Sequence, residues 1–160
     1  MTGHLIELEL ADEAATLTLG ASLADDARPG LVLYLSGDLG SGKTTLARGL
    51  ICALGHAGRV KSPSYTLVED YKLSRLHLYH FDFYRFKDRG EWISSGFREY
   101  FGPDSLCIVE WPERASGLLA PADLEIGLEF SGNGRLARLQ PHGPAGSDWL
   151  QSSRLRFRSS

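Results

Sequence analysis

Between Gly37 and Thr44 the chain reads GDLGSGKT, which fits G-x-x-x-x-G-K-[ST]. The residue types explain the spacing. For the backbone N–H groups of Gly40 to Thr44 to surround a phosphate, the side chains there must stay small. The helix behind them must then present its N-terminal dipole to the anion. On this reading Leu39, Gly40, Ser41, Gly42, Lys43 and Thr44 form the grip, with Lys43 as a point charge on the outer phosphates and the Thr44 hydroxyl as a ligand for Mg²⁺. Such a grip needs a further carboxylate on the metal side, at the end of a neighbouring strand. Asp82 closes LHLYHFD and Glu110 closes LCIVE, each where an apolar run meets polar sequence. That is the edge at which open parallel sheets bind ligands.

Four more residues accompany these strand ends. Thr66 lies in SPSYTLV, the interval where phosphate-loop switches place a hydroxyl that senses the outer phosphate, although threonine is equally a strand former. Trp111 follows Glu110 directly and either stacks on a base or packs in the core, and composition favours the core. His80, two residues before Asp82, reads either as a ligand or, preferably, as a neutral, hydrogen-bonded histidine beside a strand end, and Arg85 as a charge partner for Asp82 or for phosphate. None of the four lysines, Lys43, Lys61, Lys72 and Lys87, sits in an N-K-x-D or T-K-x-D guanine reader, so the nucleotide expected is ATP. Two uses of it remain open, an ATPase switch and a small-molecule kinase whose acceptor-binding segment DFYRFKDR would imitate.

The elements that must position these groups follow from hydrophobic period and turn chemistry. HLIELEL (4–10) alternates like a half-buried strand, and the spacing predicts a helix from Asp12, its cap, to about Ala27. PGLVLYLSG is a strand buried on both faces, followed by the glycine loop and by a helix that Gly55 terminates. Residues 62–73 and 75–86 predict two strands joined near Leu73 and Ser74, with Tyr65, Thr66, Leu67 and Val68 in the first. Residues 87–102 predict one broken helix or two short ones, interrupted by Gly90 and Gly96, and 105–112 another buried strand. A hairpin is expected over 123–140, with Gly132 and Gly134 supplying positive φ. The last stretch is either a short docked helix from Asp148 to Leu155 or a loose tail over 143–160. The sum is an α/β chain, a P-loop NTPase-like, mostly parallel sheet flanked by helices with a C-terminal β-hairpin, in one domain spanning 1–160.

Bulk properties narrow the class. With 42% hydrophobic and 23% charged residues the 160-residue chain has ordinary globular composition and length enough for one sizeable core. A net charge of -3 argues against holding nucleic acid by phosphate neutralisation alone, and the arginines Arg154, Arg156 and Arg158 read as a solvated tail. Cys52 and Cys107 sit in apolar surroundings without metal or redox spacing, so both are expected to be buried thiols. No run approaches the roughly 18 apolar residues of a membrane span, and the first residues do not read as a leader. A cytoplasmic protein is the expectation.

Four segments, GDLGSGKTT, VKSPSYTLVEDY, YHFDFYR and VEWPERA, occur in an order and spacing that resemble the TsaE family, also called YjeE, over roughly residues 12 to 115. The resemblance implies a small bacterial P-loop ATPase required for the threonylcarbamoyl modification of adenosine in tRNA. ATP and Mg²⁺ would be its cofactors, and a TsaB–TsaD-type pair would perform the transfer, so that tRNA is involved indirectly. It also implies that Lys43 holds phosphate, that Thr44 and Glu110 ligand Mg²⁺ and that Asp82 is the active-site aspartate. Thr66 matches the threonine of the switch-like segment, and Trp111 the tryptophan beside the nucleotide. Glu13 and Gly134 match further positions near the nucleotide. Ser41 stands where alanine is common, and Ser64 and Tyr65 where a Thr-Phe or Thr-Tyr pair is usual; each keeps size or hydroxyl.

Overall fold

The computed structural model describes residues 4–159. Seven strands form one sheet: β1 (Ile6–Leu10), β2 (Val32–Ser36), β3 (Val68–Lys72), β4 (His77–Asp82), β5 (Ser105–Glu110), β6 (Leu124–Ser131) and β7 (Gly134–Pro141), in spatial order β1-β7-β6-β2-β5-β4-β3. The central strands β6, β2, β5 and β4 are mutually parallel, whereas β7 and β3 run against their neighbours and β1 against β7. Five strands therefore share one direction, and the sheet is mostly parallel with an antiparallel hairpin near one edge.

Alternation along the central strands divides the core. Leu33 and Leu35 of β2, Leu78 of β4, Leu106 and Ile108 of β5 and Ile126 of β6 face one layer, together with buried residues of α1 (Glu13–Ser22), α2 (Lys43–Ala53) and α4 (Gly143–Ser159). Tyr34, Tyr79, Phe81, Cys107 and Val109 face the other, which is aromatic. Phe83, Trp92 and Phe97 complete that layer, the last two supplied by α3 (Arg89–Ser95) and the 3-10 turn Phe97–Tyr100. Strands buried on both faces read as continuous apolar runs for this reason. Helices α1 and α2 cross at two glycines: a Cβ on Gly20 would lie 2.1 Å from the Leu46 carbonyl oxygen, and one on Gly49 would lie 2.3 Å from that of Leu17.

Several boundaries differ from the sequence expectation. Helix α1 is capped by Asp12 as expected, through Ala15 N–H at 2.9 Å, but ends at Ser22. The buried Leu23, Ala24 and Ala27 lie in turns whose carbonyls accept from the Arg75 guanidinium, at 3.2 Å for Ala24 and 3.3 Å for Ala27. Strand β3 starts only at Val68, because Leu67 N–H closes a turn on the Pro63 carbonyl at 2.8 Å. Tyr65 and Thr66 lie in that turn, and Leu67 is left-handed at φ 69°. Gly96, at φ 67°, ends α3, but Gly90 is accommodated in its first turn behind the Asp88 cap. In the β6–β7 turn only Gly132 has positive φ; Gly134 is required for room, since a Cβ there would meet the Leu10 oxygen at 2.3 Å.

Segment 143–159 is a helix, not a loose tail, and begins earlier than Asp148. It is docked by Trp149, 1% exposed, whose indole N–H donates to the Leu23 carbonyl at 2.9 Å. The side chains of Arg154, Arg156 and Arg158 lie outside the described residues. Cys107 is buried, which pushes its thiol up to about 12, but Cys52 is exposed on α2, together with Ala53, while Leu50, Ile51 and Leu54 are the buried apolar residues beside it.

Candidate functional site

Strand β2 delivers the chain to the C-terminal edge of the sheet at Ser36, and the loop 37–42 turns it into α2. Gly40 and Gly42 take φ 79° and 109°, so the sharp turn into the helix uses a conformation open to glycine. The Lys43 ammonium folds back on the loop and donates to the carbonyls of Gly37 and Asp38, the latter at 3.0 Å. It also lies 4.2 Å above the Trp111 ring. Burial lowers the Lys43 pKa, opposed by the carboxylates of Glu110, Asp82, Glu113 and Asp38.

Asp82 and Glu110 end β4 and β5 in register with each other, so both carboxylates emerge on the α2 side of the sheet. They are 5% and 2% exposed, among the least exposed acidic side chains described. Burial raises the Asp82 pKa and the Glu110 charge adds to this, while the Tyr84 N–H, which donates to Oδ1 at 2.9 Å, holds it down together with His80 and Lys43. The Thr44 hydroxyl lies 3.0 Å from each Glu110 oxygen. His80, fully buried, places Nε2 2.7 Å from Glu110 Oε2. No cluster of three or more His, Cys, Asp or Glu side chains is poised for a metal among the described residues. The hydroxyl of Thr44 and the carboxylates of Glu110 and Asp82 nevertheless make a hard, anionic oxygen set that fits Mg²⁺, an ion that takes few protein ligands.

These groups open on a cavity of about 540 Å³ whose wall includes Leu39, Lys43, Thr44, Asp82, Glu110 and Trp111. Thr66 does not belong to it; its hydroxyl lies 3.5 Å from Glu69, and Ser62 and Ser64 supply the hydroxyls on that wall. Arg85 also lines the cavity, yet its guanidinium stacks 4.4 Å from the exposed Tyr65 ring and is not paired with Asp82. Trp111 is half-buried, left-handed at φ 57°, and packed by Tyr84 and Arg114. It stands on the cavity wall while leaning on the aromatic core, so the core reading describes part of its packing.

Glu13 and Gly134 are brought to the opposite side of the glycine loop, where they line a hollow of about 200 Å³ with Gly40, Ser41 and Gly42. Glu13 there faces Arg48 at 3.7 Å, an exposed pair of little energetic weight. Sequence reasoning missed Arg135, which joins the hairpin to the loop. Its Nε donates to the Ser41 carbonyl and its Nη2 to that of Gly40, both at 3.0 Å. A trans peptide whose carbonyl is tied towards Arg135 directs the following N–H away from it, which orients Gly42 N–H. The only signal available in the sequence was the position of Arg135 next to Gly134.

A strand, a glycine loop and a helix at the C-terminal edge of a sheet of this order, with two strand-end carboxylates beside the loop, define a P-loop α/β protein. The sequence model of the family described as threonylcarbamoyl adenosine biosynthesis protein TsaE matches residues 10–137, and the chain belongs to the TsaE family. Relatives named tRNA threonylcarbamoyladenosine biosynthesis protein TsaE include one from Haemophilus influenzae, 41% identical over 79% of this chain and 83% of its own. Another, from Rickettsia felis, is 36% identical over 92% of this chain and 88% of its own. The crystal structure of YdiB from Bacillus subtilis superposes with a TM-score of 0.77 at 28% identity, covering 99% of this chain and 97% of that one. The DFYRFKDR segment places Arg85 on the cavity wall with its guanidinium against the Tyr65 ring. Among the described residues no helix is long and apolar enough to cross a membrane.

Proposed function

We propose that the protein binds and hydrolyses ATP with Mg²⁺ and so supports threonylcarbamoyl modification of adenosine in tRNA, acting with a TsaB–TsaD-type pair that performs the transfer. One observation carries the reading: the first hydroxyl of the loop helix, Thr44, sits 3.0 Å from both oxygens of a buried strand-end carboxylate, Glu110, with Asp82 beside it in register.

In this reading the N–H groups of the loop and the Lys43 ammonium hold the β- and γ-phosphates. Thr44 and Glu110 would hold Mg²⁺, which supplies charge neutralisation on the phosphate oxygens when bound. Asp82 faces the same cavity, and its raised pKa suits a carboxylate that orients the attacking water and accepts its proton as the γ-phosphoryl group departs from ADP. Trp111 borders the phosphate end, close above Lys43. Glu13 and Gly134 border the other side of the loop, and Thr66, outside the cavity wall, would act only after the turn 64–66 moves. The tRNA chemistry belongs to the partner pair, and tRNA is engaged through it.

Phosphate release is the test, measured for the protein alone, with the TsaB–TsaD-type pair, and with a panel of small acceptors. Slow release alone with marked stimulation by the pair is expected. No release in any mixture would overturn the ATPase reading, and phosphate on a small acceptor would establish a kinase.

A further inference from the structure

Among the described residues, His80 is a buried titratable side chain beside the site that the phosphate grip, the carboxylate pair and the proposed hydrolysis leave without a role. It lies two residues before Asp82 on β4, so both project from the same face of the sheet, and it is opposite Ile108 in the register that puts Asp82 opposite Glu110. Leu78, Leu106 and Ile108 make up the apolar layer around it, and its side chain has no exposed surface. Its Nε2 approaches Glu110 Oε2 at 2.7 Å, while Nδ1 has no hydrogen-bond partner among the described residues.

These contacts determine what the imidazole does. A carboxylate only accepts, so the proton between them belongs to Nε2. Nδ1 has no partner among the described residues, so the ring's one hydrogen bond is from Nε2 to a single carboxylate oxygen. A single directional contact from a ring held in the apolar layer fixes the direction of the carboxylate. The Thr44 hydroxyl lies 3.0 Å from both Glu110 oxygens, and His80 holds only Oε2, so Oε1 is the oxygen not held from behind. A polar pair in this apolar layer, with one imidazole nitrogen left unpaired, is a poor device for stability alone, since an apolar pair of equal volume would serve as well or better.

We propose that His80 is a positioning residue for Glu110: its Nε2–H holds Oε2 so that Oε1 is presented, beside the Thr44 hydroxyl, to the divalent cation that accompanies the nucleotide. The inference rests on the metal reading of Thr44 and Glu110 given above. Histidines that orient a ligand from behind, and carboxylate ligands that are themselves hydrogen-bonded, typically alter metal affinity by 10–100-fold when removed.

The test uses the full chain and ADP as the probe, with binding followed calorimetrically in EDTA and across a Mg²⁺ titration, together with thermal melting. In His80→Leu, ADP affinity in EDTA should stay within about threefold of the wild type, while the Mg²⁺ concentration for half-maximal enhancement rises about tenfold or more. His80→Gln, whose amide N–H reaches the place of Nε2, should restore the Mg²⁺ response to within about threefold. An unchanged Mg²⁺ response in His80→Leu, or equal impairment in the leucine and glutamine variants, would overturn the inference. Should the leucine variant not fold, His80→Asn against His80→Gln carries the same comparison, because asparagine is too short to reach Glu110; equal behaviour of that pair overturns it too. A wild-type protein whose ADP binding ignores Mg²⁺ would overturn the metal reading first, and the inference with it.

Discussion

Gly20→Ala should destabilise the protein even though it replaces glycine with the best helix former. Gly20 lies within α1, and in an open helix interior the exchange would stabilise by about 1 kcal/mol. Here the new methyl would be 2.1 Å from the Leu46 oxygen, 3.0 Å from its carbonyl carbon and 3.1 Å from the Leu50 nitrogen, all of them backbone atoms of α2. A carbon–oxygen contact needs about 3.3 Å, so roughly 1 Å must be found by moving one helix off the other, because no rotamer can relieve it. Overpacking of this kind costs about 1–3 kcal/mol, and with backbone as the obstacle the upper end applies. The net loss is then about 2 kcal/mol, or about 4–8 °C in Tm for a chain of this size. Thermal melts of the two proteins without nucleotide measure it. The same displacement carries the start of α2 with it, so the 3.0 Å approach of Thr44 to Glu110 lengthens and Mg²⁺-dependent ADP binding weakens in parallel. A Tm equal to or above that of the wild type would refute the packing argument.

The remaining expectations concern the site. The Asp82 pKa is raised in the folded state, so its ionised form costs stability above that pKa, and the cost disappears as the pH falls through it. Asp82→Asn should therefore raise Tm at pH 7 in EDTA and lose that advantage in acid; equal stability of the two proteins at both pH values would contradict this. Lys43→Ala should weaken ADP binding at least tenfold while leaving Tm nearly unchanged, because the desolvation cost of the ammonium offsets its hydrogen bonds to the Gly37 and Asp38 carbonyls. Normal ADP affinity in that variant would count against the grip. Arg135→Ala removes two charge-assisted hydrogen bonds from the loop; at about 1 kcal/mol for the two together in a partly exposed setting, ADP affinity should fall about fivefold. Arg135→Lys should recover little of it, since a point charge cannot serve two carbonyls in a fork, and calorimetry of the two variants decides.

What was legible in the sequence is what short-range chemistry determines. The loop from Gly37 to Thr44 can be read because a turn of that shape tolerates few residue types, and Asp82 and Glu110 because an apolar run that stops on a carboxylate marks a sheet edge. The order of the elements follows from the same periods. Thr66 was not legible as a turn residue, because Tyr-Thr-Leu-Val has strand propensity and the left-handed Leu67 that closes the turn is tied through its carbonyl to Asp82 N–H on β4. Arg135 was illegible for a related reason: its partners Gly40 and Ser41 are more than ninety residues away in the chain. The early end of α1 is likewise a tertiary effect, imposed by Arg75 from the far side of the sequence.

The aromatic layer explains why the site edge can hold two unfavourable conformations. Leu67 and Trp111 are the non-glycine residues with positive φ among those described, and each touches a strand end that carries site chemistry, Leu67 across to β4 and Trp111 along the chain from β5. Leu67 passes its carbonyl to Asp82 N–H at 3.0 Å, and Trp111 succeeds Glu110 and supports Lys43. Left-handed backbone at bulky residues costs of order 1–3 kcal/mol each and persists only where the surroundings over-determine it. Both side chains pack into the same cluster as Phe81, Phe83, Trp92 and Phe97, whose rings lie 5.4 to 6.2 Å apart in linked pairs. Burying several such rings supplies more than the strain requires. The face of the sheet that carries no candidate ligand thus fixes the backbone from which Asp82 and Glu110 emerge on the other, and the density of aromatic residues between Tyr79 and Phe101 belongs to the site as much as to the core.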